Sequence, residues 1–211
     1  MSTFTIITGS GRCGTSALSK FFIESRKVDM HFTNEIPDIR AGYENLDSIK
    51  ANSLISDIII PTFSFYESNN INKGIDLIKK VTRDNHVVKT PSFFFYNTYD
   101  VWKKYNTKDE LLVILLKRDK LENVFKSAAK ISWSKEWEYF KDVQHLENHY
   151  LENIKNLENN NIRYIELEFP KFILDPEYLY SKLLTSDFSF TKEMVLELSN
   201  KVFQESQITI K

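Results

Sequence analysis

The stretch Ile6-Ile-Thr-Gly-Ser-Gly-Arg-Cys-Gly-Thr-Ser-Ala-Leu18 narrows what this chain can fold into more than any other. The apolar run Phe4-Thr5-Ile6-Ile7 reads as a short buried strand. Gly9, Gly11 and Gly14 then set a tight loop, and Thr15 and Ser16 open a helix with Ala17, Leu18, Phe21 and Phe22 on one side. A strand, a glycine-rich turn and a helix start together make an anion site. Glycines let backbone N–H groups converge on a ligand, and the helix N-terminus adds unpaired donors and a positive dipole end.

The nearest comparison by spacing is the Walker A loop, G-x-x-x-x-G-K-[ST]. Gly9 and Gly14 have that spacing, and Ser16 takes the hydroxyl place. Thr15 stands where the lysine belongs, and the loop's cation is Arg12 instead. The loop can cradle phosphate but lacks the lysine that grips the β/γ-phosphates of a nucleoside triphosphate, which argues against an ordinary ATPase or kinase. A glycine-rich turn with no ligand is the plain alternative.

Further on, helical spacing recurs at Leu46, Ile49, Leu54 and Ile58, a helix that Pro61 ends, and again at Ile71, Ile75, Ile78 and Val81. His86 to Lys89 reads as a strand, and Pro91 and Ser92 start an aromatic helix through Trp102. Leu111 to Leu116 is six consecutive aliphatics, which fits a central strand covered on both faces. A helix follows through about Ile131. A long one is predicted from about Lys135 to Asn159, with the stripe Trp137, Phe140, Val143, Leu146, Tyr150, Ile154 and Leu157. Ile162 to Leu167 is a last strand, Asp175-Pro176 starts a short helix, and Thr191 caps the final one, to about Phe203. Val28 to Met30 is a short strand or turn; 31–42 and 63–70 read as loops. Alternating strands and helices predict a single α/β domain over 1–211, with a mainly parallel sheet between helical layers.

In such sheets ligands bind beyond the carboxyl ends of the strands, so Arg118, directly after the aliphatic run, should share an edge with the Gly9–Ser16 loop and can hold a phosphate bidentately. A surface arginine is the alternative. Lys89 in Lys89-Thr90-Pro91 also closes a strand, and reads equally as a site cation or a solvated strand-end lysine. His145 and His149 stand four apart on one helix face, but the pattern is not H-E-x-x-H, so a solvated face is the better reading than zinc. Cys13 reads as a small residue packed under the loop rather than a nucleophile.

Composition excludes more than it assigns. A net charge of −1 over 211 residues carries no global basic field for nucleic acid, so any anion site is local. One cysteine rules out an intrachain disulfide framework. No apolar run has the length of a membrane span, and the N-terminus lacks a signal pattern, so a cytoplasmic enzyme is expected. The sequence does not speak to oligomeric state.

Gly11-Arg12-Cys13-Gly14-Thr15-Ser16 resembles the 5′-phosphosulfate loop of sulfotransferases that use 3′-phosphoadenosine-5′-phosphosulfate (PAPS). The resemblance spans most of the chain. Leu-Leu-Val-Ile-Leu-Leu-Lys-Arg-Asp resembles the strand and arginine that grip the donor's 3′-phosphate. That implies a role for Arg118 and, on the next helix, for Ser127, which falls one residue beyond the family's usual place, held here by Lys126. Lys89-Thr90-Pro91 resembles the family's Lys-x-Pro element, which implies that Lys89 neutralises the leaving phosphosulfate or touches the acceptor. Gly42-Tyr43-Glu44-Asn45 through Asn52 resembles a Gly-Tyr-x-Glu-Asn element. Glu44, Glu35 and His31 are rival proton acceptors. Tyr164 to Glu168 before Asp175-Pro176 resembles the family's late strand, with Glu166 or Glu168 structural. The resemblance implies a P-loop-like α/β/α fold, PAPS as sulfuryl donor, no metal, and a small-molecule or glycan acceptor. Alternatives are a small nucleotide or metabolite kinase with a degenerate Walker A loop, which would need Mg²⁺, and a non-catalytic nucleotide-binding module.

Overall fold

The computed structural model describes residues 2–10, 12–30, 43–56, 70–90, 93–94, 97–128 and 141–207. Among the described residues four strands form one all-parallel sheet in the order β2-β1-β3-β4. They are β1 (Thr3–Gly9), β2 (Val87–Lys89), β3 (Glu110–Arg118) and β4 (Arg163–Phe169). β3 is the aliphatic run of the sequence, and its middle six residues are buried on both faces. Period two decides which way each residue points. Phe4, Ile6, Val88, Leu111, Val113 and Leu115 join one core, whereas Ile7, Val87, Leu112, Ile114 and Leu116 join the other.

Helices cover both faces. The first core is closed by α2 (Leu46–Ile55), α3 (Ile71–Asp84), α4 (Tyr99–Tyr105), α5 (Glu122–Ala128) and α6 (Val143–Asn159). The second is closed by α1 (Thr15–Ser25), α7 (Lys171–Leu174), α8 (Pro176–Leu183) and α9 (Lys192–Gln207). The α/β class and the layering therefore agree with the sequence. Among the described residues no helix is long and apolar enough to cross a membrane.

Some boundaries differ from expectation for local reasons. The aromatic segment after Pro91 is not one helix. Asn97 takes a left-handed φ of 47°, and α4 starts afresh at Tyr99. Its Trp102 stacks on Phe4 at 5.9 Å and donates to Asn52 Oδ1 at 2.7 Å, an oxygen that also accepts from Thr98 Oγ1 at 2.6 Å. Asn52 is thus a buried tie between α2 and α4. α6 begins at Val143 rather than Lys135, because Asp142 caps it by accepting from the His145 amide at 2.7 Å. The expected stripe residues Trp137 and Phe140 lie outside the described residues.

His149 corrects the solvated-face reading. It is buried, its ring meets Phe94 edge-on at 4.9 Å, and its Nε2 hydrogen-bonds the Phe94 carbonyl. Asn153 Nδ2 donates to the same carbonyl at 3.1 Å. Together they tie α6 to the segment that follows β2. His145, one turn earlier, is half-buried.

Candidate functional site

Strand order places the site. The connection from β1 leads to β2 on one side, whereas β3 and β4 extend the sheet on the other. The chain therefore reverses direction between β1 and β3, the place where open α/β sheets bind ligands. The glycine loop stands on β1 there. Gly9 pairs with Leu116, and β3 runs on to Arg118.

Two glycines are needed for shape. A Cβ on Gly9 would lie 2.5 Å from the Leu116 carbonyl oxygen and 2.7 Å from Cys13 Sγ. Its absence lets Cys13 fold back, fully buried, against β1 and β3, as expected for a packing residue. Gly14 has φ 85°, and its Cβ would strike the Phe169 ring at 2.5 Å. Gly14 caps α1 in this left-handed conformation, its carbonyl accepting from Leu18 N at 3.0 Å, and α1 has no side-chain cap. The helix start thus keeps amide donors for something other than its own side chains.

Arg12 also takes a left-handed φ, 53°, which costs a residue with a Cβ about 1 kcal/mol or more. The conformation is held from β3: Arg118 Nη1 donates to the Arg12 carbonyl at 2.9 Å. The strand-end arginine and the loop do share one edge, as the sequence predicts. Beneath Arg118 lies Phe169, its ring centroid 5.1 Å from the guanidinium carbon. Phe169, at the end of β4, is the residue sequence reasoning missed. It fills the space that Gly14 leaves and supports Arg118. The available signal was an aromatic residue closing the last strand before Pro170. Arg118 also lines a cavity of about 320 Å³, together with Lys117, Tyr150, Glu166, Tyr178 and Lys182. Tyr150 donates to Glu166 Oε2 at 2.8 Å, a structural role for that carboxylate.

Lys89 is not a solvated strand-end lysine. It is 2% exposed, and its Nζ donates to Ser16 Oγ at 3.0 Å and to Glu44 Oε1 at 3.1 Å. Glu44 reaches it because residues 44 and 45 run along the outer edge of β2. Glu44 bridges Lys89 in parallel, and Asn45 N donates to the Lys89 carbonyl at 3.1 Å. This meeting depends on long-range pairing and left no trace in the sequence.

Arg12, Lys89 and Arg118 thus converge from positions far apart in the chain. Burial first, and then the charge of Arg118, pushes the Arg12 guanidinium below its ordinary value. Burial does the same to Arg118 and Lys89, with Glu44 opposing it at Lys89. Buried cations that disfavour one another are relieved by an anion. Two donor side chains at the loop, Ser10 Oγ and Arg118 Nε, are buried without a hydrogen-bond partner among the described residues.

Other expected site residues fall elsewhere. Thr15 and Ser16 open α1 as predicted. Gly11, His31 and Glu35 lie outside the described residues. Ser127 lies on α5, its side chain outside those described, and Lys126 on the same helix is exposed. Among the described residues no three His, Cys, Asp or Glu side chains gather as a metal site. No protein-family model, curated protein or solved structure matches this chain.

Proposed function

We propose that the protein is a sulfotransferase. It takes a sulfuryl group from PAPS and passes it to a hydroxyl or amine of a small-molecule or glycan acceptor. The observation that carries this reading is the contact between Arg118 and the Arg12 carbonyl. It sets a strand-end arginine beside a glycine loop, where two phosphates of one nucleotide would be held in the two places that the family resemblance implies. The residues suit such a donor. The α1 N-terminus and Arg12 would face its 5′ end, Arg118 would meet the 3′-phosphate on a bidentate face, and the orphaned donors of Ser10 and Arg118 would gain acceptors.

In the transfer the acceptor oxygen or nitrogen bonds to sulfur, and the S–O bond to the 5′-phosphate breaks with its electron pair left on the phosphate oxygen. The acceptor proton goes to a carboxylate, for which the sequence offers Glu35 and Glu44. Arg12 and Lys89 stabilise charge growing on the leaving oxygen.

The kinase alternative is weakened by one contact. A P-loop kinase uses the Ser16 hydroxyl as a Mg²⁺ ligand, but here that oxygen accepts from the Lys89 ammonium. The experiment is a thermal-stability screen. Adenosine 3′,5′-bisphosphate should raise Tm without metal, by the equivalent of about 2.7 kcal/mol at a hundredfold its Kd. ATP with Mg²⁺ should do less. The reverse order would sink the proposal.

A further inference from the structure

The geometry points to Glu44 as a positioning residue. Its carboxylate holds the Lys89 ammonium under Ser16, so that β2 delivers to the loop the lysine its own sequence lacks, and the proton released in the reaction goes elsewhere. The inference rests on reading the loop as an anion site.

The backbone on both sides of the pair is fixed. Asn45 N donates to the Lys89 carbonyl, and Asn45 at once caps α2, its Oδ1 accepting from Ser48 N at 2.9 Å. Thr90 N, one residue beyond Lys89, donates to the Ile7 carbonyl at 3.0 Å. Glu44 and Lys89 therefore face each other from two pinned segments, 5% and 2% exposed. A carboxylate so covered and already accepting from an ammonium offers an acceptor hydroxyl little to touch. The ammonium needs the carboxylate more, because a buried lysine with no counter-charge gives up its proton or destabilises the fold. Among the described residues, the groups facing Lys89 include Glu44 from the β2 edge, the Ser16 hydroxyl from α1, and Arg12 and Cys13 from the loop. Burial and Arg12 act against its charge, and Glu44 acts for it. In the Walker A loop the lysine stands at the place of Thr15. Here an ammonium reaches Ser16, the next residue, from the neighbouring strand.

The test compares wild type, Glu44→Gln, Glu44→Asp, Lys89→Met and the Glu44→Gln/Lys89→Met double variant. The first readout needs no ligand. The ¹³Cε signal of Lys89, assigned by its loss in Lys89→Met, is followed against pH. The ammonium should persist to higher pH in wild type than in Glu44→Gln, with Glu44→Asp between. Identical titrations would overturn the inference. The second readout is the affinity for adenosine 3′,5′-bisphosphate without metal. Glu44→Gln should weaken binding about tenfold or more, the weight of one hydrogen bond to a charged group. The loss should be smaller near pH ~6, where the lysine regains its proton, than near pH ~9. The double variant should bind no worse than Lys89→Met alone, because Glu44 acts through Lys89. If Glu44→Gln leaves nucleotide affinity intact but abolishes turnover, Glu44 is the proton acceptor and the inference is wrong. If wild type binds no anion at all, the sulfotransferase reading falls, and the Lys89 titration alone decides the positioning role. Should Glu44→Gln fail to fold, the same comparison runs on Glu44→Asp, which keeps the charge but shortens its reach.

Discussion

Replacing Gly14 with alanine tests the joint between loop, helix and sheet. Two costs add. A side chain at φ 85° pays for the left-handed conformation, about 1–2 kcal/mol. The new Cβ would also sit 2.5 Å from Phe169 Cδ2 and 2.9 Å from Phe172 Cζ, and such overpacking costs about 1–3 kcal/mol. Phe172 is fully buried among Phe203 and the second core, so it has little room to yield. Phe169 has more, but moving it tilts the platform under Arg118. The sum, roughly 2–5 kcal/mol, should lower Tm by roughly 4–20 °C for a chain of this size. Calorimetry of wild type and Gly14→Ala measures it. Adenosine 3′,5′-bisphosphate should also bind more weakly to whatever fraction remains folded, because Arg118 has lost its seat. A variant that melts within about 1 °C of wild type would refute the reasoning, since either cost alone exceeds that.

Arg12→Ala should lower the sulfuryl-transfer kcat by roughly a hundredfold or more, the scale of removing one oxyanion donor, with Arg12→Lys recovering part of it; an unchanged single-turnover rate would remove Arg12 from the chemistry. Arg118→Ala should weaken binding of the 3′-phosphorylated nucleotide more than of its analogue without that phosphate, and calorimetric titration of both ligands decides it. Asn52→Ala should cost about 1–3 kcal/mol, because Trp102 Nε1 and Thr98 Oγ1 lose a shared buried acceptor, as denaturant titration will show. Burial holds the His149 imidazole below its ordinary 6.5, so the unfolded chain takes the proton first as pH falls. Its contribution to stability is complete above about pH 6.5 and is lost below it, and His149→Gln should flatten that part of the stability–pH curve.

What the sequence revealed and what it hid follow one physical division. β3 was legible because six aliphatics in a row can only be covered on both faces, and the loop because glycines at fixed spacing between strand and helix have few other uses. Arg118 followed from both, since β1 and β3 are neighbours and each ends at the same edge. The pairing of Glu44 with Lys89 was hidden because it needs β2 beside β1 and residue 44 beside β2, two facts of pairing that no local pattern encodes. Phe169 was hidden likewise, its value arising only when Gly14 and Arg118 flank it. The burial of His149 was not hidden. It sits between Leu146 and Tyr150 on the apolar stripe of α6, and polarity was given more weight than position.

The order of strands also governs how this chain can be made. β1 is synthesised before β2 and β3, yet it ends up between them in the sheet, Thr5 beside Val87 and Thr3 beside Glu110. Until the ribosome has passed Arg118, the strand carrying Phe4, Ile6 and Ile7 has at most one of its two neighbours. Closing such distant pairs is slow, and an apolar strand left waiting is an invitation to aggregate. A nascent chain that stops short of β3 also lacks Arg118, which holds the Arg12 carbonyl, so the proposed anion capture would be a late event in folding. If the proposed nucleotide site is real, recovery of binding after dilution from denaturant would therefore time the closing of the sheet's centre, rather than the formation of the loop, whose sequence ends at Ser16, long before β3.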